Sequence, residues 1–69
     1  MPLIEVTLGA GRTPVQLRQL MTNLTNAVVD AEVAPREAVR VVIREVPTTH
    51  WSAGDVTLAE RAGEPDPRG

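Results

Sequence analysis

Four residues of this chain have types and positions that could do chemistry together: Pro2, Arg12, Arg40 and Trp51. Pro2 stands directly behind the initiator methionine. A small second residue permits removal of Met1, which would leave a secondary prolyl amine at the terminus. A free terminal amine has a pKa near ~8, against ~10.4 for a lysine. An apolar pocket or neighbouring arginines lower it further by disfavouring the ammonium. A neutral amine at about pH 7 can serve as a general base. The chain contains no lysine, so the terminus is the one amine available for that task. Taken alone, a proline at position 2 does no more than start a strand.

Arg12 falls where the first strand gives way to a helix. That is the carboxyl end of the strand, where α/β folds bind ligands. By itself it is an exposed loop charge. Arg40 interrupts a Val/Ile run. Burying a guanidinium unpaired is costly, so Arg40 serves either an anion contact or an interface ion pair. Trp51 is the only Phe, Trp or Tyr of the chain. It walls a pocket or plugs a subunit contact. His50 reads as a turn residue, with no acid or nucleophile at triad spacing. Gly9-Ala10-Gly11 lacks the pattern of a phosphate loop.

The elements that must carry these residues follow from periodicity. In residues 2–8, Ile4, Val6 and Leu8 share one parity and Glu5 and Thr7 the other, which predicts a half-buried strand. Thr13-Pro14-Val15-Gln16 predicts a helix start, with Thr13 as cap, Pro14 in the first turn and Gln16 closing a capping box. Leu17, Leu20, Met21, Leu24, Ala27, Val28 and Ala31 then form one apolar stripe, and the helix should end near Val33. Residues 34–37 connect, with about one helical turn. Residues 39–46 form the second strand, with Val39, Val41 and Ile43 on one face and Arg40 and Arg44 on the other. Strand, helix and strand on short links make a βαβ unit with parallel strands and a right-handed crossover. The fold class is α/β (α+β in some schemes). Residues 48–53 form a turn leading to a short hairpin, and residues 55–61 fit either a brief strand or a helical turn. The domain spans residues 1–62, and 63–69 form a disordered polar tail.

Composition narrows the partners. The chain has 69 residues, nine acids against seven arginines and a net charge of −2. That balance opposes nucleic-acid binding, and no basic amphipathic segment suits a membrane surface. No apolar run approaches the ~20 residues of a spanning helix, so the expected location is the cytoplasm. One histidine and no cysteine exclude disulfides and leave no basis for a structural zinc site. A domain this small buries roughly 60% of its unfolded surface and is marginal alone. A two-stranded sheet under one helix leaves one face and both edges uncovered. Self-association that extends the sheet is therefore expected.

The order of these features carries a family resemblance. Met-Pro-Leu-Ile at the start, Gly11-Arg12 before a capped helix, Ala38-Val39-Arg40-Val41-Val42-Ile43 in the second strand and His50-Trp51 in the next loop resemble the 4-oxalocrotonate tautomerase family. The likeness spans about residues 2–55. It implies that Pro2 is the catalytic base. It implies that Arg12 holds the distal carboxylate of a dicarboxylate substrate. Arg40 would bind the proximal carboxylate and the 2-oxygen, drawing electron density toward it. Trp51 would close an apolar pocket that keeps the amine neutral. Family members need no cofactor or metal, and typical ones are homohexamers, trimers of dimers, with sites built from several subunits. The implied reaction is a keto–enol or 1,3-proton shift in a small unsaturated 2-hydroxy or 2-oxo carboxylate such as 2-hydroxymuconate.

Three departures stand out. Gly9 replaces a larger apolar residue that lines the site in many members. Ser52-Ala53-Gly54-Asp55 replaces a glycine-rich Gly-Ile-Gly-Gly loop. Ala53 occupies the position of a water-activating glutamate in related dehalogenases, which argues against hydrolytic dehalogenation. The first two raise a specialised biosynthetic tautomerase as the alternative. A silent structural oligomer is opposed by the joint presence of Pro2, Arg12 and Arg40.

Overall fold

The computed structural model describes residues 1–63. The chain runs β1 (Leu3–Gly9), α1 (Pro14–Asp30), a 3-10 turn (Arg36–Ala38), β2 (Arg40–Val46), a second 3-10 turn (Thr48–His50), β3 (Ser52–Ala53), β4 (Val56–Thr57) and α2 (Leu58–Gly63). β1 and β2 pair in parallel, from Leu3 opposite Arg40 to Gly9 opposite Val46. β3 and β4 pair antiparallel, Ser52 opposite Thr57 and Ala53 opposite Val56. This is the predicted βαβ unit with its C-terminal hairpin. The segment that fitted either strand or helix is both in turn, β4 and then α2. Gly63 closes α2, and the remainder of the expected polar tail, 64–69, lies outside the described residues.

Alternation decides which face is covered. Ile4, Val6, Leu8, Val41 and Ile43 are half-buried, while Leu3, Glu5, Thr7, Arg40, Val42 and Arg44 are exposed. Paired residues of a parallel ladder share a face, so the register gathers the first set under α1. From α1, Leu17, Leu20, Met21, Leu24 and Val28 are half-buried. Ala27 and Ala31 of the expected stripe are exposed instead. A sheet only two strands wide covers the middle of the stripe and leaves its flank in solvent.

Both ends of α1 have a chemical cause. Thr13 Oγ1 accepts from the Gln16 N–H at 3.1 Å, and Gln16 Oε1 accepts from the Thr13 N–H at 2.9 Å, the reciprocal box read from sequence. The C-terminus comes three residues before Val33. There the Glu32 N–H donates to the Val29 carbonyl and the Val33 N–H to the Val28 carbonyl, with Glu32 at φ 59°. This is a Schellman ending with glutamate in the left-handed position usually held by glycine. The hairpin turn also lies in the left-handed region, with Gly54 at φ 60° and Asp55 at φ 66°. Positive φ at both central residues suits the tight connection between β3 and β4.

Among the described residues none is fully buried. Leu3 is 55% and Val42 39% exposed on the sheet face that α1 does not cover. No helix among the described residues is long and apolar enough to cross a membrane.

Candidate active site

The parallel register brings two of the four residues together. Leu3 lies opposite Arg40, and the ladder continues one step beyond, where the Arg40 N–H donates to the Pro2 carbonyl at 3.0 Å. Pro2 is half-buried, and Met1 before it is 86% exposed. The Arg40 guanidinium donates to the Glu37 carbonyl at 2.8 Å. It projects from the sheet face opposite α1, as the alternation predicts.

Arg12 and Trp51 stand at the other end of the sheet. Arg12 lies three residues past Gly9, the last residue of β1, and its guanidinium reaches the Gly9 carbonyl at 3.5 Å. Trp51 follows β2 and the second 3-10 turn, is half-buried, and accepts a hydrogen bond from the Leu58 N–H at 2.9 Å. Seven strand residues separate the two ends. At ~3.3 Å per residue this is about 20 Å. One chain therefore places Pro2 and Arg40 at one end of the sheet and Arg12 and Trp51 at the other.

The arginines divide by their partners. Among the described residues the one salt bridge joins Arg44 to Glu5, 2.7 Å apart. Both side chains are more than half exposed, and such a pair contributes about 0–1 kcal/mol. Among the described residues Arg12 and Arg40 meet only backbone carbonyls. Each keeps planar donors that suit a carboxylate.

Gly9 has a structural reason. A Cβ built on it would lie 2.8 Å from Leu58 Cδ1 and 3.9 Å from Thr48 Cγ2. Leu58 of α2 thus fills the space that a larger side chain at the end of β1 would take. The capping box of α2 holds Leu58 there. The Thr57 N–H donates to Glu60 Oε1 at 2.8 Å, and the Glu60 N–H donates to Thr57 Oγ1 at 3.0 Å. The bond from the Thr57 N–H, helped by the Thr57 hydroxyl, holds the Glu60 carboxyl below the usual glutamate range. Leu58 is not legible as a site neighbour from periodicity. The pattern Thr57-Leu58-Ala59-Glu60 is the signal that would have placed it on a helix start.

Comparison with known proteins adds the family. The family model described as tautomerase enzyme matches residues 2–61. A probable tautomerase of Ralstonia nicotianae is 52% identical over 56 residues, 81% of this chain and 80% of that protein. One of Staphylococcus haemolyticus is 43% identical over 60 residues, covering 87% and 97%. Among solved structures, TomN, a 4-oxalocrotonate tautomerase homologue of the tomaymycin biosynthetic pathway, superposes with a TM-score of 0.86 at 42% identity, covering 94% of this chain and all of that one. A heterohexameric 4-oxalocrotonate tautomerase from Chloroflexus aurantiacus gives 0.81 at 38% identity, covering 87% and 97%.

Proposed function

The chain belongs to the tautomerase family, with the 4-oxalocrotonate tautomerase fold, and on that premise we propose that it is a cofactor-independent tautomerase with Pro2 as its base. The substrate is a small unsaturated 2-hydroxy or 2-oxo carboxylate, with 2-hydroxymuconate the nearest example. Removal of Met1 frees the prolyl nitrogen, which is an amide while Met1 remains. The neutral amine takes the proton of the 2-hydroxyl group and leaves a delocalised dienolate. The guanidinium of Arg40 stabilises charge on the 2-oxygen, the preorganised contact expected to lower the barrier most. The prolinium then returns the proton to a conjugated carbon, so the product is an isomer and the base is regenerated. Arg12 holds the distal carboxylate, and Trp51 walls an apolar pocket that disfavours the ammonium.

The observation that carries this reading is the pairing of Pro2 with Arg40 at the head of the parallel ladder. The about 20 Å to Arg12 within one chain is far longer than a small dicarboxylate. The complete site therefore draws Arg12 and Trp51 from another copy. The uncovered sheet face, with Leu3 and Val42 exposed, and the lack of any fully buried described residue support such self-association. A homohexamer built as a trimer of dimers is the proposed assembly.

A second reading concerns the substrate alone. The likeness to TomN favours a biosynthetic dienoate over a catabolic one, and the glycine at position 9 alters the region beside Arg12. A screen of mono- and dicarboxylate dienols by ultraviolet absorbance tests both readings. Turnover of 2-hydroxymuconate supports the first, and turnover of monocarboxylate dienols alone supports the second. No proton shift in any of them from protein whose mass shows Met1 removed contradicts the proposal.

A further inference from the structure

The geometry points to Leu58 as the residue that positions Trp51 and sets the shape of the site at its Arg12 end. The contacts form one connected set. The Arg12 guanidinium reaches the Gly9 carbonyl at 3.5 Å. The space above the Gly9 Cα is taken by Leu58 Cδ1, which would stand only 2.8 Å from a Cβ there. The Leu58 N–H in turn holds the Trp51 carbonyl at 2.9 Å. Leu58 thus joins the strand end that carries Arg12 to the loop that carries Trp51.

The attachment is specific to a small–large pair. β3 and β4 contribute two residues each, too few to fix the loop by themselves. The side chain of Leu58, seated in the gap left by Gly9, supplies an apolar anchor. Thr57 and Glu60 fix the direction of α2 by their reciprocal hydrogen bonds, so the leucine enters the gap at a set angle. Arg61 adds a bond from its guanidinium to the Ala53 carbonyl at 3.3 Å, which ties α2 back to the hairpin. Shortening Leu58 leaves the backbone bond to Trp51 possible but removes the seat. A branched side chain at Gly9 fills the seat and displaces Leu58. Either change moves Trp51 relative to Arg12, and the two together offset one another.

The consequence for specificity rests on the proposed tautomerase reading, in which Arg12 and Trp51 receive the distal part of the substrate. A vacated seat widens that end and admits a bulkier distal group. Leu58 acts through Trp51 rather than on the reacting atoms.

Trp51 is the only Trp, Tyr or Phe of the chain, so its fluorescence reports the loop without interference. The test compares wild type, Leu58→Ala, Gly9→Val and the double variant, each checked for helix content by circular dichroism. Emission and acrylamide quenching are read first. The kcat/KM ratio for 2-hydroxymuconate and an analogue with a methyl group beside the distal carboxylate is read second. Leu58→Ala should red-shift the emission, increase quenching and move the ratio toward the methyl analogue by about tenfold. Gly9→Val should also shift the emission, and the double variant should return it toward wild type. Unchanged emission and quenching in a folded Leu58→Ala protein, or effects of the two substitutions that simply add, would overturn the assignment. The fluorescence arm decides whether Leu58 positions Trp51 even if no dienol is turned over, in which case only the proposed function fails.

Discussion

The main-chain N–H of Arg40 donates to the carbonyl of Pro2 over 3.0 Å. The placement of Pro2 beside Arg40 is therefore a property of two backbones and not of either side chain. The first turn after the helix delivers β2 into that register. The Val39 N–H donates to the Arg36 carbonyl and the Ala38 N–H to the Pro35 carbonyl just before the ladder begins. A change at the Arg40 side chain leaves Pro2 where it is.

That separation makes the arginine variants informative. Arg40→Ala should keep the fold and the position of Pro2 and still lower kcat, by about 10²–10³ if the guanidinium meets the developing oxyanion. Arg12→Ala should mainly raise KM, because in the proposed mechanism Arg12 holds a carboxylate that does not change during reaction. Steady-state kinetics on 2-hydroxymuconate separate the two. Unchanged constants in Arg12→Ala would mean that the substrate lacks a second carboxylate.

The hairpin end should respond to acid through Glu60. Its folded pKa is lowered by the hydrogen bonds from Thr57. The stabilisation it gives is fully present above the ordinary glutamate pKa and is lost as pH falls through the lowered folded value. Trp51 emission should shift over that acid range in wild type, and this component should be missing in Glu60→Gln. A carboxyl titration followed by NMR gives the same transition directly.

The end of α1 offers a test of stability. Glu32 sits at φ 59°, a region costly for a residue with a Cβ. Glu32→Gly should raise stability by about 0.5–1 kcal/mol. Urea denaturation at one fixed protein concentration measures it, since the proposed self-association would make the midpoint concentration-dependent. A lowered midpoint would show that the Glu32 side chain does something the helix ending does not require.

These elements differ in how far sequence reveals them. The alternation in β1 and β2 and the Thr13–Gln16 box were plain, because a covered sheet face and a helix cap each demand particular residue types at fixed spacing. The end of α1 was not, since the apolar stripe continues past Asp30 and the left-handed position carries glutamate where glycine is the usual marker. α2 is too short for a helical period to show, although its capping box is present in the letters. The chemistry of the site was legible as residue types, while the separation of Pro2 from Arg12 was not. It follows from the parallel pairing, which puts the start of β1 beside the start of β2 and leaves Arg12 at the far end. The Gly9–Leu58 contact joins distant parts of the chain and has no local signal.

In the proposed assembly each complete site combines Pro2 and Arg12 from different copies. Pro2→Ala and Arg12→Ala chains, unfolded and refolded together, test it most directly, with mixed assemblies verified by native mass spectrometry. If the site is shared, some sites in the mixture pair an intact Pro2 with an intact Arg12. Activity at low substrate concentration should then exceed that of both parent variants. Activity no higher than the average of the two parents, in assemblies shown to be mixed, would contradict the account.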